Sequence, residues 1–108
     1  MPVYMTQFSY TTEAWQAMAR NPVDRRQALG PLMQAVGGRL IELYYTFGDY
    51  DGVVLYEAPD DAAASAAVVA VVVSGTSKPV KTTKLLTVEE ALPALRRARE
   101  LSYQRPMP

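Results

Sequence analysis

The sequence contains no cysteine and no histidine. Without cysteine there can be no disulfide, no thiolate nucleophile and no cysteine metal site, although no compartment follows from that. Without histidine, the commonest general base and the commonest transition-metal ligand are both missing. Serine–histidine hydrolysis and histidine-ligated haem are therefore excluded. The chain also lacks a charge excess, because 11 basic residues balance 11 acidic ones. A neutral chain has no broad positive field to draw it onto phosphate backbones, so nucleic acid is not an expected partner. Long hydrophobic runs are missing too. The most apolar stretch, AAASAAVVAVVVSG at 62–75, falls short of the ~20 residues that span a bilayer, and no membrane partner is expected. The start, MPVYMTQFSY, has no basic segment, apolar core or small-residue cleavage site, so no secretory leader is expected and a soluble cytoplasmic protein is the default.

What is present is enough for one domain, 1–108. The chain has 108 residues, 49% of them apolar. A chain of this size buries roughly two-thirds of its unfolded surface. VYMTQFSY at 3–10, rich in β-branched and aromatic residues, reads as a strand. Thr11 or Thr12 can cap a helix through EAWQAMAR, and Asn21-Pro22 interrupts it. Asn21 can cap a second piece with Pro22 at its first position. Gly30-Pro31 within that piece predicts a kink or break near residue 30, and Gly37-Gly38 ends it.

GRLIELYYTF at 38–47 and DGVVLYEA at 51–58 alternate with a period of two. With the short glycine-flanked connection between them they read as a hairpin. Pro59, Asp60 and Asp61 suit the start of a helix running to a stop near Gly75. KPVKTTKLLT at 78–87 reads as a fourth strand. Thr87-Val88-Glu89-Glu90 fits a capping box for a last helix, whose start Pro93 shortens or bends. Arg96, Arg97 and Arg99 suit its negative end as a solvated face. The tail, 100–108, is either loose or docked on a partner. The order β-α-β-β-α-β plus a final helix is the ferredoxin-like α+β pattern: a four-stranded antiparallel sheet with helices on one face.

These residues resemble the GYD domain family, named for a glycine-tyrosine-aspartate signature in the hairpin between the second and third strands. Here the signature is Gly48, Tyr50 and Asp51 in FGDYD. Gly37-Gly38, Glu57-Ala58-Pro59-Asp60-Asp61, Lys81-Thr82-Thr83 and the Thr87 capping box support the resemblance, which covers about 3–98. It implies a ferredoxin-like fold in the dimeric α/β-barrel superfamily, where two sheets commonly pack face to face. It carries no catalytic residue over, because the family has no established reaction.

The turn signature Gly48, Asp49, Tyr50 and Asp51 has two readings. Asp49 and Asp51 could hold a hard cation through oxygen ligands. One DxD supplies too few ligands, however, and the rest of a calcium loop is missing, so no metal is assigned. Turn chemistry accounts for them better: glycine supplies positive φ, and aspartate side chains bond to nearby backbone N–H groups. Tyr50 is left over, to pack on the sheet edge or line a pocket mouth.

In a lone ferredoxin-like domain the helices cover one sheet face only. On this reading Ile41, Leu43, Val53 and Leu55 face the helices, and Trp15 joins that core. The open face then shows Leu40, Glu42, Tyr44, Thr46, Val54 and Tyr56. The first strand adds either Tyr4, Thr6 and Phe8 or Met5, Gln7 and Ser9. Such a face is too apolar to sit bare in water, so a homodimer or higher homo-oligomer is expected, with a small-molecule pocket on that face or at the interface. Glu42 is the candidate catalytic residue, because semi-apolar surroundings disfavour its charged form. It can equally be paired with Lys81, Lys84 or an arginine. Tyr44, Thr46, Tyr50, Tyr56 and Thr83 are the candidate ligand-binding residues. No cofactor is assigned. The competing function is a non-catalytic assembly or sensor module. RNA binding ranks last, because DGVVLYEA lacks the basic-glycine-aromatic start that an RNA-binding sheet uses.

Overall fold

The computed structural model describes residues 1–78 and 80–107. The elements in order are β1 (Val3–Phe8), α1 (Thr12–Arg20), α2 (Arg26–Ala35), β2 (Arg39–Tyr45), β3 (Gly52–Glu57), α3 (Asp61–Val73), β4 (Lys81–Leu85) and α4 (Val88–Arg99). The strands form one antiparallel sheet in the order β2-β3-β1-β4, the ferredoxin-like arrangement expected from the sequence. Pro79, which the sequence reading put near the start of the fourth strand, and Pro108 of the tail lie outside the described residues. No helix among the described residues is long and apolar enough to cross a membrane.

The helix ends follow from local chemistry. The Thr11 hydroxyl accepts from the Ala14 N–H at 3.1 Å, the Asp60 carboxylate from Ala63 at 2.8 Å, and Thr87 from Glu90 at 3.1 Å. The Glu90 carboxylate reaches back to the Thr87 N–H at 3.0 Å, completing the capping box. At the end of α2 the Gly38 N–H bonds to Met33 O at 2.8 Å and the Gly37 N–H to Gln34 O at 3.0 Å, a Schellman motif with Gly37 at φ 85°. Gly38 is required for a second reason: a Cβ there would lie 1.9 Å from the Glu57 carbonyl oxygen.

Two expectations about the first helical region need correction. The interruption falls at 21–25, and Asn21 closes α1 rather than opening α2: its N–H bonds back to Ala17 O at 3.0 Å. Asp24 supplies the acceptor for the first turn of α2, taking the Arg26 N–H at 3.0 Å. α2 then runs unbroken through Pro31. Gly30, with no Cβ to crowd the proline ring, removes much of the penalty that a residue before proline normally carries. Likewise Pro93 does not shorten α4, which begins at Val88 and runs through it.

The face assignments are corrected as well. On β3 it is Val54 and Tyr56 that turn toward the helices, 4% and 0% exposed, while Val53 and Leu55 lie on the open face. β1 sends Tyr4, Thr6 and Phe8 inward and leaves Met5 and Gln7 outward. On β2 a bulge between Leu40 and Glu42 places Leu40 opposite Tyr56, Glu42 opposite Leu55 and Leu43 opposite Val54. Leu40 and Leu43 therefore share the helix side, Ile41 and Tyr44 are exposed, and Glu42, in register with Leu55, extends its carboxylate to Arg26 of α2. Period-two reading failed because both faces of β3 are apolar and because one extra residue in β2 reverses the alternation.

Candidate functional site

The sheet's inner face is aromatic where α3 is small. Tyr4 and Tyr56 stack with ring centroids 5.7 Å apart, and Phe8 meets Tyr10 edge-on at 5.1 Å. Against them α3 offers Ala64 and Ala67, both buried. Ala67 and Ala70 do not fill the space beside Phe8, Tyr10 and Tyr56, and a cavity of about 270 Å³ remains between the sheet, α2 and α3. Its floor includes Thr6, Phe8, Val54 and Tyr56. Leu29, Leu32 and Met33 of α2 and Val68 and Val71 of α3 form the sides, with Tyr10 and Arg25 also on the lining.

The floor carries a chain of hydroxyls. Thr6 Oγ1 lies 2.8 Å from Tyr56 Oη and 2.9 Å from Thr82 Oγ1, so three adjacent strands are joined through side chains. Tyr10 Oη sits 3.5 Å from Tyr45 Oη. Burial, more than the neighbouring Tyr45, pushes the Tyr10 hydroxyl well above its ordinary range, and the nearby charge of Arg25 works in the opposite direction. The described lining holds no carboxylate. The arrangement can therefore bind and orient a small apolar molecule with a polar end, and it places no carboxylate base beside one.

Gly48, Tyr50 and Asp51 are not on the described lining of this cavity. Asp51 Oδ2 accepts from the Tyr10 N–H at 2.9 Å and from the Trp15 indole N–H at 3.1 Å, while the Asp51 N–H donates to Phe8 O at 2.8 Å. One aspartate thus ties the hairpin to the β1–α1 connection. Its partners are distant in sequence rather than local to the turn. Trp15, expected in the core, is instead 42% exposed and packs edge-on against Tyr10 at 5.1 Å. Asp49 is exposed, and the Tyr50 carbonyl accepts from Thr46 Oγ1 at 2.6 Å.

The other sequence candidates are dispersed. Tyr56 lies on the cavity floor, not on the open face. Tyr44 is exposed on β2, and Thr83 is half-buried on β4 opposite Met5. β2 and β4 are opposite edges of the sheet, about 14 Å apart at ordinary strand spacing. Glu42 Oε1 accepts from the Leu43 N–H at 3.0 Å and pairs with Arg26 at 3.4 Å. That is the arginine pairing the sequence left open, and it turns the carboxylate toward the bulge and α2. Sequence reasoning missed Thr6, Tyr10 and Arg25 as a group. The available signal was the run Tyr4, Thr6, Phe8 and Tyr10 at alternate positions, which marks the richer aromatic face of β1.

Sheet order, helix placement and inner-face cavity define a ferredoxin-like α+β domain. Within that class the chain belongs to the GYD domain family, which matches residues 4–95. Among solved structures it is similar to TTHA0845 from Thermus thermophilus, with a TM-score of 0.52 and 19% identity over 82% of this chain and 96% of that one. It is also similar to MtbAldR, with a TM-score of 0.51 and 14% identity over 80% of this chain, spanning 52% of that one. At such identities the likeness is one of fold. No curated protein matches the sequence.

Proposed function

We propose that this GYD-domain protein binds a small, largely apolar molecule in the cavity between the sheet and helices α2 and α3. The observation that carries the reading is the cavity of about 270 Å³ with apolar walls and a hydroxyl-bearing floor. A few convergent polar groups in an apolar enclosure are the usual composition of a ligand site, and this volume lies just below the range typical of drug-sized ligands. Ala70, exposed at the rim on α3, offers a way to close it without disturbing the core. Native mass spectrometry of freshly purified protein is expected to show extra small-molecule mass that denaturation removes and that Ala70→Trp prevents. Added mass retained at wild-type level by Ala70→Trp would place the ligand elsewhere and end this reading.

A second reading, self-assembly, is favoured by a separate observation. α4 has no buried residue, and Val88, Leu92 and Leu95 form an exposed apolar stripe along it. The open sheet face presents Val3, Met5, Val53 and Leu55. Both surfaces call for cover, and a second copy of the chain supplies matching apolar area. A monodisperse monomer at micromolar concentration in light scattering would defeat it.

A further inference from the structure

We infer that the cavity's ligand is a small anion with an apolar body, its charge held by Arg25. This rests on the cavity being the binding site and adds the chemical class of what enters it. Arg25 is half-buried at the N-terminal cap of α2 and lines the cavity. Its backbone is fixed, because its carbonyl accepts from the Ala28 and Leu29 N–H groups, each at 3.1 Å.

The ion pairs among the described residues involve other groups. Arg26 pairs with Asp24 at 2.9 Å and with Glu42 at 3.4 Å, Lys84 pairs with Asp61 at 3.2 Å, and Arg39 pairs with Glu57. Arg25 is in none of the ion pairs among the described residues, and the described lining adds no carboxylate that could answer it. A cation partly withdrawn from water beside apolar walls, without a counter-ion, is costly and attracts one. A guanidinium selects a carboxylate in particular, since its planar fork matches two oxygens. The Tyr10 hydroxyl close by can donate to the same group, and the aromatic and aliphatic walls then enclose the rest of the molecule. The volume limits that body to a short chain or a single ring.

The test uses a matched pair of probes, octanoate and 1-octanol, which share a chain and differ in charge. Binding is measured by isothermal titration calorimetry at pH 7 on the full chain. Trp15, the only tryptophan and in edge contact with the cavity residue Tyr10, gives a second readout by its emission. Octanoate is expected to bind about tenfold tighter than octanol or better, the scale of a charge-assisted pair. Arg25→Met, which keeps an apolar stem, should bring octanoate down to the level of octanol and leave octanol unchanged. Ala70→Trp should abolish both. Thermal melts confirm that each variant is folded. Equal binding of the two probes by the wild type overturns the anion assignment while leaving the cavity reading intact. A preference for octanoate that survives Arg25→Met overturns the assignment to Arg25. Binding of neither probe, or binding of both that Ala70→Trp leaves unaltered, overturns the cavity reading together with the inference.

Discussion

Asp51 shows how much a single carboxylate can organise. Its side chain accepts from a backbone N–H and an indole N–H that the chain brings from 41 and 36 residues away. Tyr10, whose N–H is one of them, is only 4% exposed, so losing the acceptor leaves a buried donor unsatisfied. Asp51→Ala is expected to cost about 1–3 kcal/mol in denaturant unfolding and to shift Trp15 emission, with Asp51→Asn milder because it keeps one acceptor. The aspartate was visible in the sequence as a turn residue, but its partners were not, because nothing local links FGDYD to Tyr10 and Trp15. Tyr4 carries a different kind of signal. Its hydroxyl donates to Asp61 at 2.5 Å, and chiefly for that reason it is pushed up to about 12 while Asp61 is held below its usual range. A phenol raised in the folded state contributes stability in full below its unfolded value of about 10. That contribution is lost as pH rises toward 12. Asp61, being depressed, contributes above its unfolded value and loses that contribution as pH falls through the folded one. Melting temperature against pH should therefore fall less steeply above pH ~10 in Tyr4→Phe, with a residual loss from Tyr10, which is raised by burial. An unchanged alkaline slope would show that the Tyr4–Asp61 bond contributes nothing in solution.

At the scale of elements, some caps and stops were legible, the Asn21 cap and the Gly30-Pro31 break were misread, and the faces were not legible. Thr87, Asp60 and Gly37 are local signals acting within a few residues, and each does in the structure what its chemistry dictates. The facing of β2 and β3 depends on non-local facts: a bulge at Leu40–Glu42 and the side of the sheet on which the crossover helices land. Val53 with Leu55 and Val54 with Tyr56 are nearly equivalent as apolar pairs, so the sequence supplies no contrast by which to choose. The cavity was illegible for the same reason, since it depends on Ala67 and Ala70 of α3 sharing a lining with Phe8 of β1 and Tyr56 of β3. Pro31 is the clearest element-level conflict. The helix accepts it at the expense of one hydrogen bond to the Gln27 carbonyl. Pro31→Ala restores that N–H, and Pro31 is itself exposed, so no packing is lost. A gain of about 1–3 kcal/mol in chemical denaturation is expected, and a destabilisation would mean that the proline holds a bend the packing requires.

For the whole molecule, topology was readable from the order of the elements, whereas its extent was not. A compact chain of this length has a radius of gyration near 13 Å. This one has 17.7 Å, with principal extents of 58 × 37 × 21 Å. α4 and the described residues after it are left in a physically uncomfortable state, with no buried residue in the helix. A helix of 12 residues is marginal in water without packing, yet Leu92 and Leu95 are 41% and 66% exposed and Leu101, Tyr103 and Met107 follow them exposed. α3 has a similar deficit, being apolar on every side with Val69, Val72 and Val73 bare. One chain thus carries both an arm with an apolar stripe and apolar surfaces its own arm does not cover. If a second copy covers them, the Leu92→Glu, Leu95→Glu double variant should pass from oligomer to monomer in size-exclusion light scattering. Its solution radius of gyration per chain should stay near the extended value, because the arm still has no site on its own body. If the arm instead folds back onto its own chain, the wild type will scatter as a monomer with a radius near 13 Å, and the double variant will expand rather than dissociate.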